Sequence, residues 1–332
     1  MYKNCNGHLI HIPSLTFRGF LGEPDLPRMM AVLQASQHED RDETAHTLES
    51  VARYYRPHPN CDHSRDMIFA EIKGDVVGFG YAWWQAEYDG TYLYSVPTDL
   101  VPAWRGQGIR RAMLRFLEGR HRDTAQQHED ATAQYLYLEA TEHAHDLNAV
   151  LQAAGYEIVR WWFDMVCSLD GDLPQRPLPE GFQVRPVQKA DILPIWKAVE
   201  QAFRDHWGAT EWPEDDLAAW RESPTFRPDL WHVAWDGDKI AGSVLNELNE
   251  AENTEQKRQR GYTDIISVGR PWRGCGLAKA LIARSLHMWK DMGMTEVACA
   301  VDAASPTGAL KLYEGLGYRP ERTTYSWRKP LD

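Results

Sequence analysis

The chain carries one short string twice. Trp104–Arg105–Gly106–Gln107–Gly108–Ile109 and Trp272–Arg273–Gly274–Cys275–Gly276–Leu277 share the form W-R-G-x-G-[IL], with their arginines 168 positions apart. In each copy an arginine and two glycines precede an apolar pattern of helical spacing. Such a loop can turn its amides toward a phosphate at the N-terminus of the helix that follows. A repeat half a chain long is far too wide for a solenoid and implies two related domains. A length of 332 residues, 43% hydrophobic and with 14 tryptophans, is enough to fill two cores.

The repeat can be followed outward from the two arginines. Upstream, the patterns at 67–72 and 76–80, and again at 230–235 and 239–242, read as β-hairpins closed by Lys73–Gly74–Asp75 and Asp236–Gly237–Asp238. Downstream of the second string, Leu277, Ala280, Leu281, Ser285, Met288 and Met292 recur at helical spacing, and Gly293 is placed to end that helix. A strand over 296–301 follows. Ser305 before Pro306 then reads as an N-cap and first-turn proline of a helix stopping near Gly315–Leu316–Gly317–Tyr318. The first half repeats this order with a helix over 109–117, a strand over 135–138 and a last helix ending at Gly155–Tyr156. Gly155 and Gly317 stand 162 positions apart, so the first copy is about six residues longer, which the polar stretch 123–132 accommodates.

Residues 168–181 have no periodicity and are dense in proline and glycine, which reads as a linker. It separates an N-terminal domain, 1–167, from a C-terminal domain, 182–332. A fresh strand pattern over 182–187 opens the second domain and echoes 15–20 in the first. Strands first, then a glycine loop entering a helix, then strand, helix and final strands imply a mixed, mostly antiparallel α/β sheet with helices on both faces.

The net charge of −12 disfavours unspecific binding to nucleic acid or to an anionic membrane surface. No apolar run reaches the length of a membrane span, and Met1–Tyr2–Lys3–Asn4–Cys5–Asn6 lacks a signal-peptide apolar stretch, so a cytoplasmic location is the expectation. Five scattered cysteines, Cys5, Cys61, Cys167, Cys275 and Cys299, suit free thiols better than a disulfide framework.

These elements resemble the GNAT N-acetyltransferase superfamily, whose acetyl-CoA loop has the form [Q/R]-x-x-G-x-[G/A]. Arg273–Gly274–Cys275–Gly276–Leu277–Ala278 fits that form at every fixed position. Arg105–Gly106–Gln107–Gly108–Ile109–Arg110 departs at the last, where Arg110 replaces a small residue. The family's later segment, A-x-x-L-Y-x-x-x-G-[FY], is matched by Ala309–Leu310–Lys311–Leu312–Tyr313–Glu314–Gly315–Leu316–Gly317–Tyr318. In the first half Leu147 stands opposite Ala309, and Leu151 opposite Tyr313.

The resemblance implies two tandem GNAT-like domains, with the C-terminal one catalytic and the N-terminal one degenerate. It implies acetyl-CoA as cosubstrate, its pyrophosphate held by the loop from Arg273, Gly274, Cys275, Gly276 and Leu277 to Ala278, with the arginine adding a charge-assisted contact. The pantetheine arm would pair along the strand 264–268. The reaction implied is direct attack by a primary amine, from a small molecule or a peptide, on the thioester. By the same resemblance Tyr313 is the acid for the leaving thiolate, the Val268 amide the oxyanion donor and Asp264 the base, directly or through water. One alternative stays open for each side chain: Tyr313 as a plain core aromatic, and Asp264 as a solvated strand-end carboxylate.

In the first loop, Arg105, Gly106, Gln107 and Gly108 either still hold CoA or are a relic that binds nothing. His206 and Trp207 lie where this family builds its acceptor pocket, with a structural aromatic anchor as the other reading. His58, Cys61 and His63 match no usual zinc spacing and read as a polar loop, so no metal is expected. The tandem arrangement also resembles that of mycothiol synthases, which implies a sugar-linked cysteine amine as an alternative acceptor. A non-catalytic acyl-CoA-binding or sensing protein is the alternative from another class. The acceptor and the oligomeric state are not legible.

Overall fold

The computed structural model describes residues 12–56, 60–305 and 307–331. They form two compact units. One holds the described residues up to Trp161 together with those from Thr324 onward, and the other is Trp162–Thr323. The proline-rich segment 168–181 therefore falls inside the second unit, where Leu169, Leu173 and Leu178 pack into the core. The chain passes from one unit to the other within strand Glu157–Ser168 and returns within strand Arg319–Pro330.

In the second unit the sheet runs in the order 162–168, Glu296–Asp302, Arg260–Val268, Lys239–Glu247, His232–Asp236, Phe182–Val184. Neighbours are antiparallel except Arg260–Val268 and Glu296–Asp302, which run parallel. Alternating strand residues feed opposite faces, as the period of two requires. Val233, Trp235 and Leu245 pack against Ile195 and Val199 of helix Ile192–Phe203. Ala234, Val244 and Val297 pack against Leu277, Leu281 and Trp289 of helix Leu277–Asp291. Helices thus cover both faces.

The first unit repeats the plan. Hairpin Met67–Ile72 and Asp75–Tyr81 is flanked by Leu15–Arg18 and Thr98–Leu100. Strand Thr91–Ser95 pairs antiparallel with Trp83–Ala86 and parallel with Ala133–Thr141, which then pairs with 324–330. Phe69, Phe79 and Tyr81 meet helices Leu26–Asp40 and Leu48–Tyr54, while Ile68, Ala70 and Leu136 meet helices Ile109–Ala125 and His145–Ala153.

Two helix boundaries differ from expectation. Helix Ile109–Ala125 outruns 117 because its buried face continues through polar side chains: His121 Nε2 lies 2.7 Å from the Ser95 carbonyl, and the Glu118 carboxylate accepts from Tyr156 Oη. The last helix of the second unit starts at Ala309, not at Ser305. Gly308, with φ 71°, is its N-cap, and Ser305 Oγ instead accepts from the Thr307 amide. Pro306 and His58 lie outside the described residues.

Candidate active site

The site is an opening in the sheet of the second unit. Strands Arg260–Val268 and Glu296–Asp302 are in register only from Arg260↔Glu296 to Tyr262↔Ala298, and both continue beyond that point. On its other edge Arg260–Val268 follows Lys239–Glu247 to the end, with one irregularity: Leu245 opposes Ile265 while Asn246 opposes Thr263. Asp264 is thus the extra residue of a β-bulge, a device that bends a strand and re-aims a side chain. The ladder alternation fixes the amides. Gly269 N–H donates to the Ala241 carbonyl at 2.9 Å, so the next pair, Gly242↔Val268, is a non-hydrogen-bonded one. The N–H and C=O of Val268 therefore turn away from Lys239–Glu247, toward the opening.

A cleft of about 630 Å³ occupies this opening, lined by Ile266–Val268, the glycine loop, the first turn of helix Leu277–Asp291, Leu312 and Tyr313, and His206 beside Phe203. Its size falls in the range of small-molecule sites. The loop brings backbone to the cleft through left-handed glycines. Gly274 has φ 81° and the N-cap Gly276 φ 90°, conformations that any side chain would strain. The amides of Gly274, Cys275 and Gly276 meet no backbone or side-chain acceptor among the described residues, which leaves them for an anion at the helix N-terminus.

Arg273 does not point its charge into this cradle. Its Nε donates to the Val268 carbonyl at 3.0 Å, Nη1 to Asp205 at 2.7 Å and Nη2 to the Ala202 carbonyl at 3.0 Å. The expected charge-assisted phosphate contact is replaced by a clamp between loop, strand end and the segment after helix Ile192–Phe203. Hydrogen bonds from Arg270 and Arg273 hold the Asp205 carboxyl well below the usual carboxylate range. Cys275 is exposed, its Sγ 3.1 Å from the Trp272 carbonyl.

Tyr313 is 8% exposed, on helix Ala309–Glu314, with its ring 5.8 Å from that of Tyr318. Burial raises its phenol well above the usual value, with smaller contributions from Cys299 and Asp264, so it is protonated at neutral pH. Asp264 is reached by solvent, yet the protein around the bulge desolvates its carboxyl and raises it. Sequence reasoning missed Glu247. It ends strand Lys239–Glu247 opposite Tyr262 and accepts from Trp220 Nε1 at 3.0 Å. Burial first, and the Asp264 charge second, push its carboxyl up to about 7. His206 lines the cleft, stacked on Phe203 at 4.3 Å, and desolvation lowers its imidazole. Trp207 is not in the lining; its ring lies 6.2 Å from that of Trp162.

Residues 196–318 match the profile described as the acetyltransferase (GNAT) family. The chain is 26% identical over 304 residues to a mycothiol acetyltransferase of Geodermatophilus obscurus, covering 91% of this chain and 93% of that one. Over 148 residues, 44% of this chain and 49% of the other, it is 30% identical to a mycothiol acetyltransferase of Thermobispora bispora. Over residues 196–318 the chain is thus similar to the GNAT acetyltransferases. Two solved structures share its fold. A GCN5-related N-acetyltransferase from Sphaerobacter thermophilus superposes with TM-score 0.72 at 23% identity, covering 97% of each chain. A tandem GNAT protein from the clavulanic acid biosynthesis pathway gives TM-score 0.62 at 15% identity, covering 96% of this chain and 99% of that one.

The first GNAT-like unit keeps the loop and fills it. Arg105 repeats the clamp, with Nε on the Leu100 carbonyl at 3.2 Å and both Nη atoms on Asp40 at 2.7 and 2.6 Å. Gly108 is again a left-handed N-cap with φ 90°, and the Gln107 side chain folds back onto the Ala103 carbonyl. The Gly106 amide, however, donates to Asp146 Oδ1 at 3.1 Å, and Arg110 Nε donates to Asp146 Oδ2 at 2.7 Å. In the second unit the counterparts of Arg110 and Asp146 are Ala278 and Gly308. A carboxylate of the protein itself thus sits on the loop where the second copy leaves room. Among the described residues no group of His, Cys, Asp and Glu side chains is arranged to hold a metal, and no helix is long and apolar enough to cross a membrane.

Proposed function

We propose that the second unit carries the acetyl transfer, and that the first, its loop closed by Asp146, is degenerate. Acetyl-CoA lies with its pyrophosphate on the amides from Gly274 to Ala278 and its pantetheine arm along Ile266 and Val268 in the gap between the parallel strands. The amine nitrogen attacks the thioester carbonyl, whose oxygen takes the Val268 N–H. Collapse of the tetrahedral adduct breaks the C–S bond, and the Tyr313 phenol protonates the departing thiolate. The proton that the amine loses goes to the carboxylate pair Glu247 and Asp264, directly or through water. The observation that carries this reading is the meeting, in one cleft, of free loop amides, the outward-turned Val268 N–H and the buried, protonated Tyr313.

For the acceptor we propose a small molecule with a cysteinyl amine, as in mycothiol-type thiols. Similarity to mycothiol acetyltransferases over nine-tenths of the chain supports it, rather than over the loop alone. The test is chromatographic detection of CoA and N-acetyl product across a panel of primary amines that includes a cysteinyl amino sugar. Product with that acceptor is expected, and Tyr313→Phe lowers kcat by about 10²-fold, within the span of general acid catalysis. Acetyl-CoA binding without turnover on any amine replaces the enzyme assignment for this site with a sensing one. Unchanged kcat in Tyr313→Phe removes the tyrosine from the mechanism.

A further inference from the structure

A second cavity, of about 330 Å³, lies wholly within the first unit, between helix Leu48–Tyr54, the loop before it and the ends of strands Asp75–Tyr81 and Thr98–Leu100. Three tyrosines line it, beside Leu33, Val51 and His46. The rings of Tyr54 and Tyr81 stand 5.0 and 5.2 Å from that of Tyr55, both edge-on, and Tyr81 Oη donates to Tyr54 Oη at 3.1 Å. At its base is Asp99, which neither a hydrogen bond nor an ion pair from the described residues satisfies. Every other charge that acts on Asp99 has its own partner: Asp40 holds Arg105, Asp42 meets His46 Nε2 at 2.7 Å, and Arg110 is taken by Asp146. Among these charges, Asp99 is thus the one that no described residue pairs. Burial raises its carboxyl to about 6, so at neutral pH it is still mostly ionised.

The position has a counterpart in the catalytic unit. Asp99 opposes Phe79 as Ser267 opposes Ser243, one residue before the strand end that receives the loop arginine. Ser267 lines the proposed acetyl-transfer cleft, where its Oγ bonds that of Ser243 at 2.9 Å. The first unit therefore puts an unpaired carboxylate and Tyr81 where the second has a self-satisfied serine pair and Leu245. A desolvated carboxylate without an ion-pair partner is stabilised when a cation joins it, and aromatic faces attract the same cation.

We propose that this cavity is a binding site for a primary ammonium compound, its cation held by Asp99 against Tyr54, Tyr55 and Tyr81. With the phosphate loop of this unit closed, the amine is bound there and not acetylated. The site stands independently of the assignment of the acetyl-transfer cleft.

The experiment is calorimetric titration of the full chain with phenethylamine and with its neutral isostere 2-phenylethanol, without CoA, at pH 7.5. Phenethylamine binds the wild type at least tenfold more tightly than the alcohol. Asp99→Asn and Asp99→Ser each lose at least tenfold in affinity while retaining the wild-type melting transition in the absence of amine. Equal affinity for amine and alcohol overturns the proposal. So does amine binding that survives both Asp99 variants and vanishes in Glu247→Gln, which would place the ligand in the other unit.

Discussion

At the scale of single residues, burial raises both groups that the proposed reaction uses to move protons, with different consequences at neutral pH. Tyr313 is kept protonated by burial, and Glu247 is brought to about 7, where it can exchange a proton near neutral pH. A base must be ionised to work, so its contribution is present above its pKa and lost as pH falls through it. With Glu247 as base, kcat rises with pH through a limb near 7, and Glu247→Gln abolishes that limb and lowers the plateau. If the limb persists in Glu247→Gln and disappears in Asp264→Asn, the bulged aspartate is the base. Tyr313 and the loop glycines were legible because each sits in a short local string. Glu247 was not, because nothing near it in sequence marks it. Its shift comes from burial and from the register that sets it near Asp264, and the hydrogen bond from Trp220, 27 positions away, only partly offsets it. Likewise Arg273 was legible as a loop residue, but its partners Asp205 and Ala202 belong to a different element.

At the scale of elements, the two copies of the glycine loop show that the string alone does not decide binding. Both copies have left-handed glycines, a clamped arginine and a following helix. They differ at a pair of positions, 36 residues apart in the first copy and 30 in the second: Arg110 with Asp146 against Ala278 with Gly308. The sequence exposes Arg110 as a departure, yet its effect depends on a helix start that only the fold brings to the loop. A carboxylate on a loop amide is a substitute anion, and it must be displaced before a phosphate can enter. We expect calorimetry to count one CoA per chain. The paired change Ala278→Arg with Gly308→Asp, which copies the closed loop into the second unit, weakens that binding at least tenfold. A wild-type count of two would mean that Asp146 yields to the pyrophosphate, and the closed-loop reading would fall.

At the scale of the whole molecule, the chain is not two beads in series. Strand Ala133–Thr141 of the first unit is completed by residues 324–330 from the other end of the sequence. Trp327 is 5% exposed in that unit's core and donates from Nε1 to Asn148 Oδ1 at 3.1 Å. Sequence patterning could find the strand over 319–330 but not its division between units, since alternation reads the same on either side of Thr323. Proline and glycine at 168–181 likewise mark irregular backbone without marking where a compact unit ends. A chain cut after Thr323 therefore retains every residue named in the proposed acetyl-transfer site while losing a strand and a buried tryptophan from the other unit. Loss of such an aromatic alone costs about 3–5 kcal/mol, a large share of the roughly 5–15 kcal/mol that holds a domain folded. Hydrogen exchange on the truncated chain should show protection lost in strand Ala133–Thr141 and kept in helix Leu277–Asp291, with Trp327→Ala giving a weaker form of the same pattern. Loss of protection in both units together would mean that they unfold as one cooperative body, and full protection in both would mean that the last strand is dispensable.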